Sequence, residues 1–219
     1  MLKPKLIIFD MDGLIFDSER TYMVEIQKAL RDLGYTLTEE DYKKTVGIRF
    51  PEAQEIMRTC YGQDVPYMDA IAVARPRMLA RAAKGNLTVK PGIRELLAAI
   101  RETGIPCMIA SSSKEETVHV YVEGAGLSDY FTYVFGGDQV VKGKPDPEVF
   151  LKCCALAGVR PENALVLEDS VNGIKAGLAA GIPVICIPDM IEPPAELVPQ
   201  LYALCRDGFE VQELMKYCL

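Results

Sequence analysis

The sequence predicts an α/β fold, a doubly wound parallel sheet carrying an inserted all-α domain. Short, continuously apolar, β-branched runs recur along the chain, and helical periodicities fill the intervals between them. That alternation marks parallel strands joined by helical crossovers, with both faces of the sheet covered. One long interval, residues 19–84, departs from it by offering helical stripes and no strand candidate.

The elements follow in order. Leu6-Ile7-Ile8-Phe9 is the first run and reads as a central strand. Tyr22, Ile26, Ala29, Leu30 and Leu33 then form a stripe at helical spacing that Gly34 closes. Further helices are expected at 39–45, 51–60 and 66–83, with a return to the sheet through Gly85–Gly92. From there strand and helix alternate. Strands are expected at Ile105–Ala110, Tyr133–Phe135, Ala164–Leu167 and Pro183–Ile187, and helices at Ile93–Arg101, Glu115–Glu123, Pro147–Ala157 and Val171–Ala180. A last helical stretch, Phe209–Tyr217, reads as core packing. The expected division is an α/β core of residues 1–17 and 86–219 and a helical domain of residues 18–85.

Composition narrows the function classes. The chain has 219 residues, 49% of them hydrophobic and 25% charged, which excludes disorder and coiled coil. Twenty-four basic against 31 acidic residues leave a net charge of −7, with no Lys/Arg cluster, so neither nucleic acid nor an anionic membrane is an expected partner. The longest uncharged run, Ala176–Pro188, is 13 residues and holds a Gly and a Pro, while a bilayer span takes about 20. Asp10 and Asp12 cut the N-terminal apolar run short, so no secretory signal is expected there. Seven cysteines without a C-x-x-C and a single histidine, His119, argue against a zinc site. The cysteines read as small buried hydrophobes, with a cytoplasmic, monomeric protein as the expectation.

Four places carry chemistry. Asp10-Met11-Asp12-Gly13 sits directly after the first strand, where open α/β sheets bind ligands. Two carboxylates at a buried strand end are costly without a cation, and Mg²⁺ suits one or two carboxylates plus a substrate phosphate. A calcium loop is excluded, because its fifth, sixth and twelfth positions would be Leu14, Ile15 and Thr21. Glu168-Asp169-Ser170 puts acidic groups at a second strand end, with Ser170 placed to cap the next helix. Ser111-Ser112-Ser113 follows the strand ending at Ala110 and could seat a phosphate at a helix entrance. In Gly143-Lys144-Pro145-Asp146-Pro147, capping explains Asp146 and Pro147 but leaves Lys144 unexplained, held in a stiff loop by the proline after it.

In this order, the four places resemble the four motifs of the haloacid-dehalogenase-like (HAD) phosphohydrolases. Asp10-Met11-Asp12-Gly13 is similar to the first motif, Ser111 to the second, Lys144 in Gly-Lys-Pro-Asp-Pro-Glu to the third, and Glu168-Asp169-Ser170 with Asn172-Gly173 to the fourth. The resemblance spans nearly the whole chain and implies a Rossmann-like core with a helical cap. It further implies a Mg²⁺-dependent phosphatase, a phosphoric monoester hydrolase acting on a small phosphorylated metabolite such as a sugar phosphate or nucleoside monophosphate. Asp10 would be the nucleophile that forms an aspartyl-phosphate, and Asp12 the general acid and base. Asp10, the Asp12 carbonyl and Asp169 would hold Mg²⁺, with Glu168 close by or acting through water. Ser111 and Lys144 would bind the phosphoryl oxygens.

The stretch Leu6–Glu19 looks especially like the pseudouridine-5′-phosphatase and deoxyglucose-6-phosphatase branch, and the cap resembles that of β-phosphoglucomutase. A β-phosphoglucomutase-type phosphomutase is therefore the alternative activity. Ser111-Ser112-Ser113-Lys114 resembles the segment with which that mutase grips a second phosphate. The mutase's cap histidine is replaced here by Tyr22, and its cap arginine lies one residue out of register at Arg49. Ser112, Ser113, Lys114, Ser18, Glu19 and Arg49 are the expected phosphate- and substrate-binding residues. Asp12 separates the chain from dehalogenases and phosphonoacetaldehyde hydrolases, which lack an acid/base Asp at that position.

Overall fold

The structure, a computed structural model, describes residues 2–48 and 50–216. Its first strand, β1 (Leu6–Phe9), has four side chains that are all sealed from solvent, as a run of consecutive apolar residues requires. The chain then leaves the sheet for α1 (Ser18–Asp32), α2 (Glu39–Lys43), α3 (Phe50–Tyr61) and α4 (Tyr67–Ala83). It returns through α5 (Ile93–Thr103) to β2 (Cys107–Ala110), and α6 (Glu115–Gly124) leads to β3 (Tyr133–Phe135). Next come α7 (Glu148–Ala157), β4 (Ala164–Glu168), α8 (Val171–Ala179) and β5 (Val184–Cys186). A two-residue strand, β6 (Ala203–Leu204), and α9 (Gly208–Met215) complete it.

All six strands run parallel, in the order β3-β2-β1-β4-β5-β6. Strand order reverses at β1, which pairs with β2 on one side (Phe9 opposite Ile109) and with β4 on the other (Phe9 opposite Leu167). The carboxyl ends of β1, β2 and β4 are thus adjacent at a topological switch point, the place where such sheets open a crevice.

Side chains alternate across the sheet with a period of two. Ile7, Phe9, Ile109 and Leu167 face the core closed by α5, α6 and α9, while Leu6, Ile8, Met108 and Val166 face the core closed by α7 and α8. The helices between β1 and β2 have an apolar centre of their own, built from Met23, Ile26, Leu30, Met57, Tyr67, Ile71 and Ala74, and Met190 from the loop after β5 joins it. Their two connections to the sheet lie side by side. Asp17 N donates to Thr88 O at 2.9 Å, Lys90 N to Ile15 O at 2.8 Å, and Phe16 forms an isolated antiparallel bridge with Val89.

Departures from the sequence reading are local. The strands expected from Ile105 and Pro183 begin two residues and one residue later, because Pro106 and Pro183 supply only carbonyls to the ladder, to Ile7 N at 3.0 Å and Val166 N at 2.9 Å. α7 starts at Glu148, one residue beyond Pro147, with Glu148 N donating to Asp146 Oδ1 at 3.1 Å. β6 had no sequence signal, being two residues at a sheet edge. Cys107, Cys153, Cys154, Cys186 and Cys205 are buried, but Cys60 is exposed on α3; Cys218 lies outside the described residues. Among the described residues no helix is long and apolar enough to cross a membrane.

Candidate active site

The three adjacent strand ends bring Asp10, Ser111 and Glu168-Asp169 together, and the loop before α7 delivers Lys144 from the side. Its ammonium donates to Asp10 Oδ1 at 2.5 Å, to Glu168 Oε1 at 2.6 Å and to the Ala110 carbonyl at 2.9 Å. The Lys144 side chain is 4% exposed. Burial works against its charge, yet the two carboxylates beside it hold its pKa above the ordinary lysine value. A buried cation gripped by carboxylates from β1 and β4 is a built feature; a solvated lysine would show none of these contacts.

Glu168 is committed to that role. Its side chain is wholly buried; Oε1 takes the lysine, and Oε2 accepts from Asp169 N at 2.9 Å, Ser170 N at 2.9 Å and Ser170 Oγ at 3.0 Å. Gly173 on α8 lies so close to this carboxylate that any Cβ there would overlap it. The expectation of Glu168 beside a cation therefore meets a group whose oxygens already serve four donors, and the geometry makes it the anchor of Lys144. Ser170 also caps α8, accepting from Gly173 N at 3.1 Å.

Asp12 is held at both oxygens. Ser18 Oγ donates to Oδ1 and Ser113 Oγ to Oδ2, each at 2.8 Å. Ser113 N in turn donates to the buried Ser111 Oγ at 3.0 Å. Ser18 and Ser113, expected to meet substrate, thus orient Asp12, because their short side chains reach a carboxylate rather than the open cleft. Ser112 and Lys114 are exposed and stand apart from this cluster, with Lys114 at the N-cap of α6. Arg49 lies outside the described residues. His119 is exposed on α6, 3.7 Å from Glu115 and away from the serines.

Burial dominates the carboxylates' titration. It pushes Asp10 from 3.8 up to about 8, against the pull of Lys144. It raises Asp12 against its two serine hydrogen bonds, and raises Asp169 well above its ordinary value, with repulsion from Glu168, Asp10 and Asp189 adding to the effect. Asp169 Oδ1 is buried without a hydrogen-bond partner. Gly13, in a left-handed turn at φ +81°, packs so tightly on Asp169 that a side chain there would collide with it. Crowded carboxylates with an orphaned oxygen are a donor set that a hard cation would fit. Among the described residues no three acidic, His or Cys side chains converge as an all-protein cage. Two carboxylates, Asp10 and Asp169, instead suit a cation that keeps waters and takes phosphate oxygens, as Mg²⁺ does.

The helical side contributes Glu19, whose Oε2 accepts from Tyr42 Oη at 2.9 Å. Burial, and after it the Asp12 charge, pushes Glu19 up to about 7. Tyr22 and Tyr67 complete an aromatic surround, with Tyr67 Oη 3.1 Å from Thr45 Oγ1. Sequence reasoning missed Asp189, in the loop after β5. Its Oδ1 accepts from Arg20 Nη1 and from Lys90 Nζ, each at 2.5 Å. Only its position just past an apolar run could have signalled it.

Residues 7–187 match the family described as Haloacid dehalogenase-like hydrolase. The "Phosphorylated carbohydrates phosphatase" of Thermotoga maritima is 29% identical, over 80% of this chain and 81% of its own. The "Probable pseudouridine-5'-phosphatase" of Drosophila melanogaster is 30% identical, over 83% of this chain and 80% of its own. Among solved structures, the β-phosphoglucomutase of Clostridium difficile superposes with a TM-score of 0.74 over 100% of this chain and 97% of that one, and at 20% identity that likeness speaks to the fold alone. With the family matched across both the sheet and the helical insertion, the chain belongs to the haloacid dehalogenase-like hydrolases.

Proposed function

We propose that this hydrolase is a Mg²⁺-dependent phosphatase of small phosphorylated metabolites, sugar phosphates or nucleoside monophosphates, working through an aspartyl-phosphate on Asp10. The observation that carries this reading is the convergence of Asp10, Asp12, Asp169 and Lys144 at one switch point of the sheet. The named phosphatases among the relatives support the phosphate ester as substrate. Residues 1–17 and 86–219 would form the catalytic core, and residues 18–85 the cap that closes over the substrate.

In this scheme Asp10 attacks phosphorus, and Lys144, fixed by Glu168, neutralises the phosphoryl oxygens as charge builds on them. Ser111, buried beside this group, contributes a hydroxyl. Asp12 gives its proton to the departing alcohol oxygen, then takes one from the water that hydrolyses the acyl phosphate. Its raised pKa and its two serine donors suit both halves, since the carboxyl can carry the proton and cannot swing away. Asp10, the Asp12 carbonyl and Asp169 would hold Mg²⁺, which would supply the positive charge that lets these anions and a phosphate share one site. Glu19, with Tyr22 and Tyr42 about it, would meet the substrate's hydroxyls.

The test is phosphate release from a panel of sugar phosphates and nucleotides, run with Mg²⁺, with EDTA, and with Asp10→Asn. Activity should need the metal and fall about 10⁴-fold or more in the variant. Substantial Mg²⁺-dependent release by Asp10→Asn would remove Asp10 as nucleophile. The mutase alternative has less behind it, since Ser113 is engaged with Asp12. Activation by a sugar bisphosphate, with isomerised product exceeding free phosphate, would reinstate it.

A further inference from the structure

We propose that Asp189 is a positioning residue that seats the helical insertion over the strand-end site by clamping both of its connections. Three observations meet at this residue. Its side chain is 2% exposed and binds two cations on one oxygen: Arg20, in the first turn of α1 as the chain leaves the sheet, and Lys90, on the segment that brings it back. Arg20 makes two further contacts, with the Asp189 carbonyl at 3.3 Å and with Asp17 at 3.2 Å. The next residue, Met190, is buried in the apolar centre of the insertion although it belongs to a core loop. Finally, Asp189 lies behind the Asp-x-Asp-Gly turn, where a Cβ on Gly13 would stand 3.4 Å from Asp189 Cβ and against Asp169.

The energetics favour a clamp over an incidental ion pair. Asp189 Oδ2 is buried without a hydrogen-bond partner, so the compensation of this buried charge rests on Oδ1 and its two cations. If the insertion swung away and took Arg20 with it, the carboxylate would keep only Lys90. The paired connections, Ile15–Asp17 against Thr88–Lys90, are the segment through which such a swing must pass. Arg20 is 45% exposed and Lys90 14%, so the Lys90 arm is less screened and should be the stronger.

The kinetic part of this inference rests on the phosphatase reading, whereas its structural part does not. Hydrogen exchange therefore comes first. In Asp189→Asn the amides of Asp17 and Lys90, which close the paired connections, should exchange about ten-fold faster or more, with the Asp10 amide inside the sheet unchanged. In the kinetic arm, KM for a sugar phosphate should rise about ten-fold while KM for acetyl phosphate, too small to reach the insertion, changes less than about two-fold. Arg20→Gln and Lys90→Gln each remove one arm and should give the same pattern, with the larger effect at Lys90. These variants carry the test if Asp189→Asn does not fold. Unchanged exchange at Asp17 and Lys90 would overturn the proposal, as would faster exchange spread evenly to the Asp10 amide with both KM values intact. A wild-type protein inactive on every phosphate ester would instead overturn the phosphatase reading and leave the exchange result standing.

Discussion

At the carboxyl ends of the central strands Lys144 bridges two carboxylates and two serines pin a third, whereas the helical insertion meets those ends with tyrosine hydroxyls around the carboxylate of Glu19. The first wall is built from charges that require one another. The second is built mostly from tyrosine hydroxyls, with the Arg75 cation hydrogen-bonded to Tyr22, a set that would suit varied hydroxylated partners. In the proposed scheme, chemistry would belong to the wall whose geometry is over-determined, and selectivity to the wall whose members can be exchanged singly.

The largest effect should come from breaking the first wall. Lys144→Met leaves Asp10 and Glu168 facing each other across a buried gap. Turnover should fall by about 10³-fold, the scale of losing one preorganised charge, and urea unfolding should show a loss of about 3 kcal/mol. Near-normal turnover would dissolve the contrast between the walls.

A second effect follows from the raised carboxyls. Asp10 moves from 3.8 to about 8 and Asp169 also moves up, so between those pH values the folded metal-free protein holds more protons than the unfolded one. The stability these two groups contribute is then fully present below their unfolded pKa and falls as pH rises through the folded values. In EDTA the urea midpoint should decline from pH 5 to pH 8, and millimolar Mg²⁺ should flatten that slope by compensating the charged forms. A midpoint that rises with pH in EDTA would contradict the burial assigned to these groups.

The smallest effect belongs to the second wall. Tyr42→Phe removes the donor that favours ionised Glu19, so the Glu19 pKa should climb above about 7. The pH profile of kcat/KM for a sugar phosphate should shift to the alkaline side, with stability reduced by about 1 kcal/mol and acetyl phosphate turnover unaffected. An equal loss on both substrates would show that the two walls are not separable.

Legibility differed within the first wall itself. Leu6–Phe9 followed by Asp10-Met11-Asp12-Gly13 announces a buried strand and its acidic end from neighbouring residues alone. Glu168-Asp169-Ser170 does so again, down to the serine cap. The roles of Ser18 and Ser113 could not be read in this way. Each looked like a ligand-binding hydroxyl, and each is consumed by Asp12, six residues from one and 101 from the other. Arg49, a candidate from register counting, falls outside the described residues.

By itself the sequence determined the alternation of strand and helix, the all-helical interval after β1 and the acidic ends of two strands, because these depend on hydrophobic periodicity and chain connectivity, which are local. The tertiary structure alone decided which charges pair. Lys144 reaches Asp10 across 134 residues, and Asp189 gathers Arg20 and Lys90 across 169 and 99. Such pairings follow from strand order and from desolvation, which forces each buried charge to find a partner wherever the fold presents one.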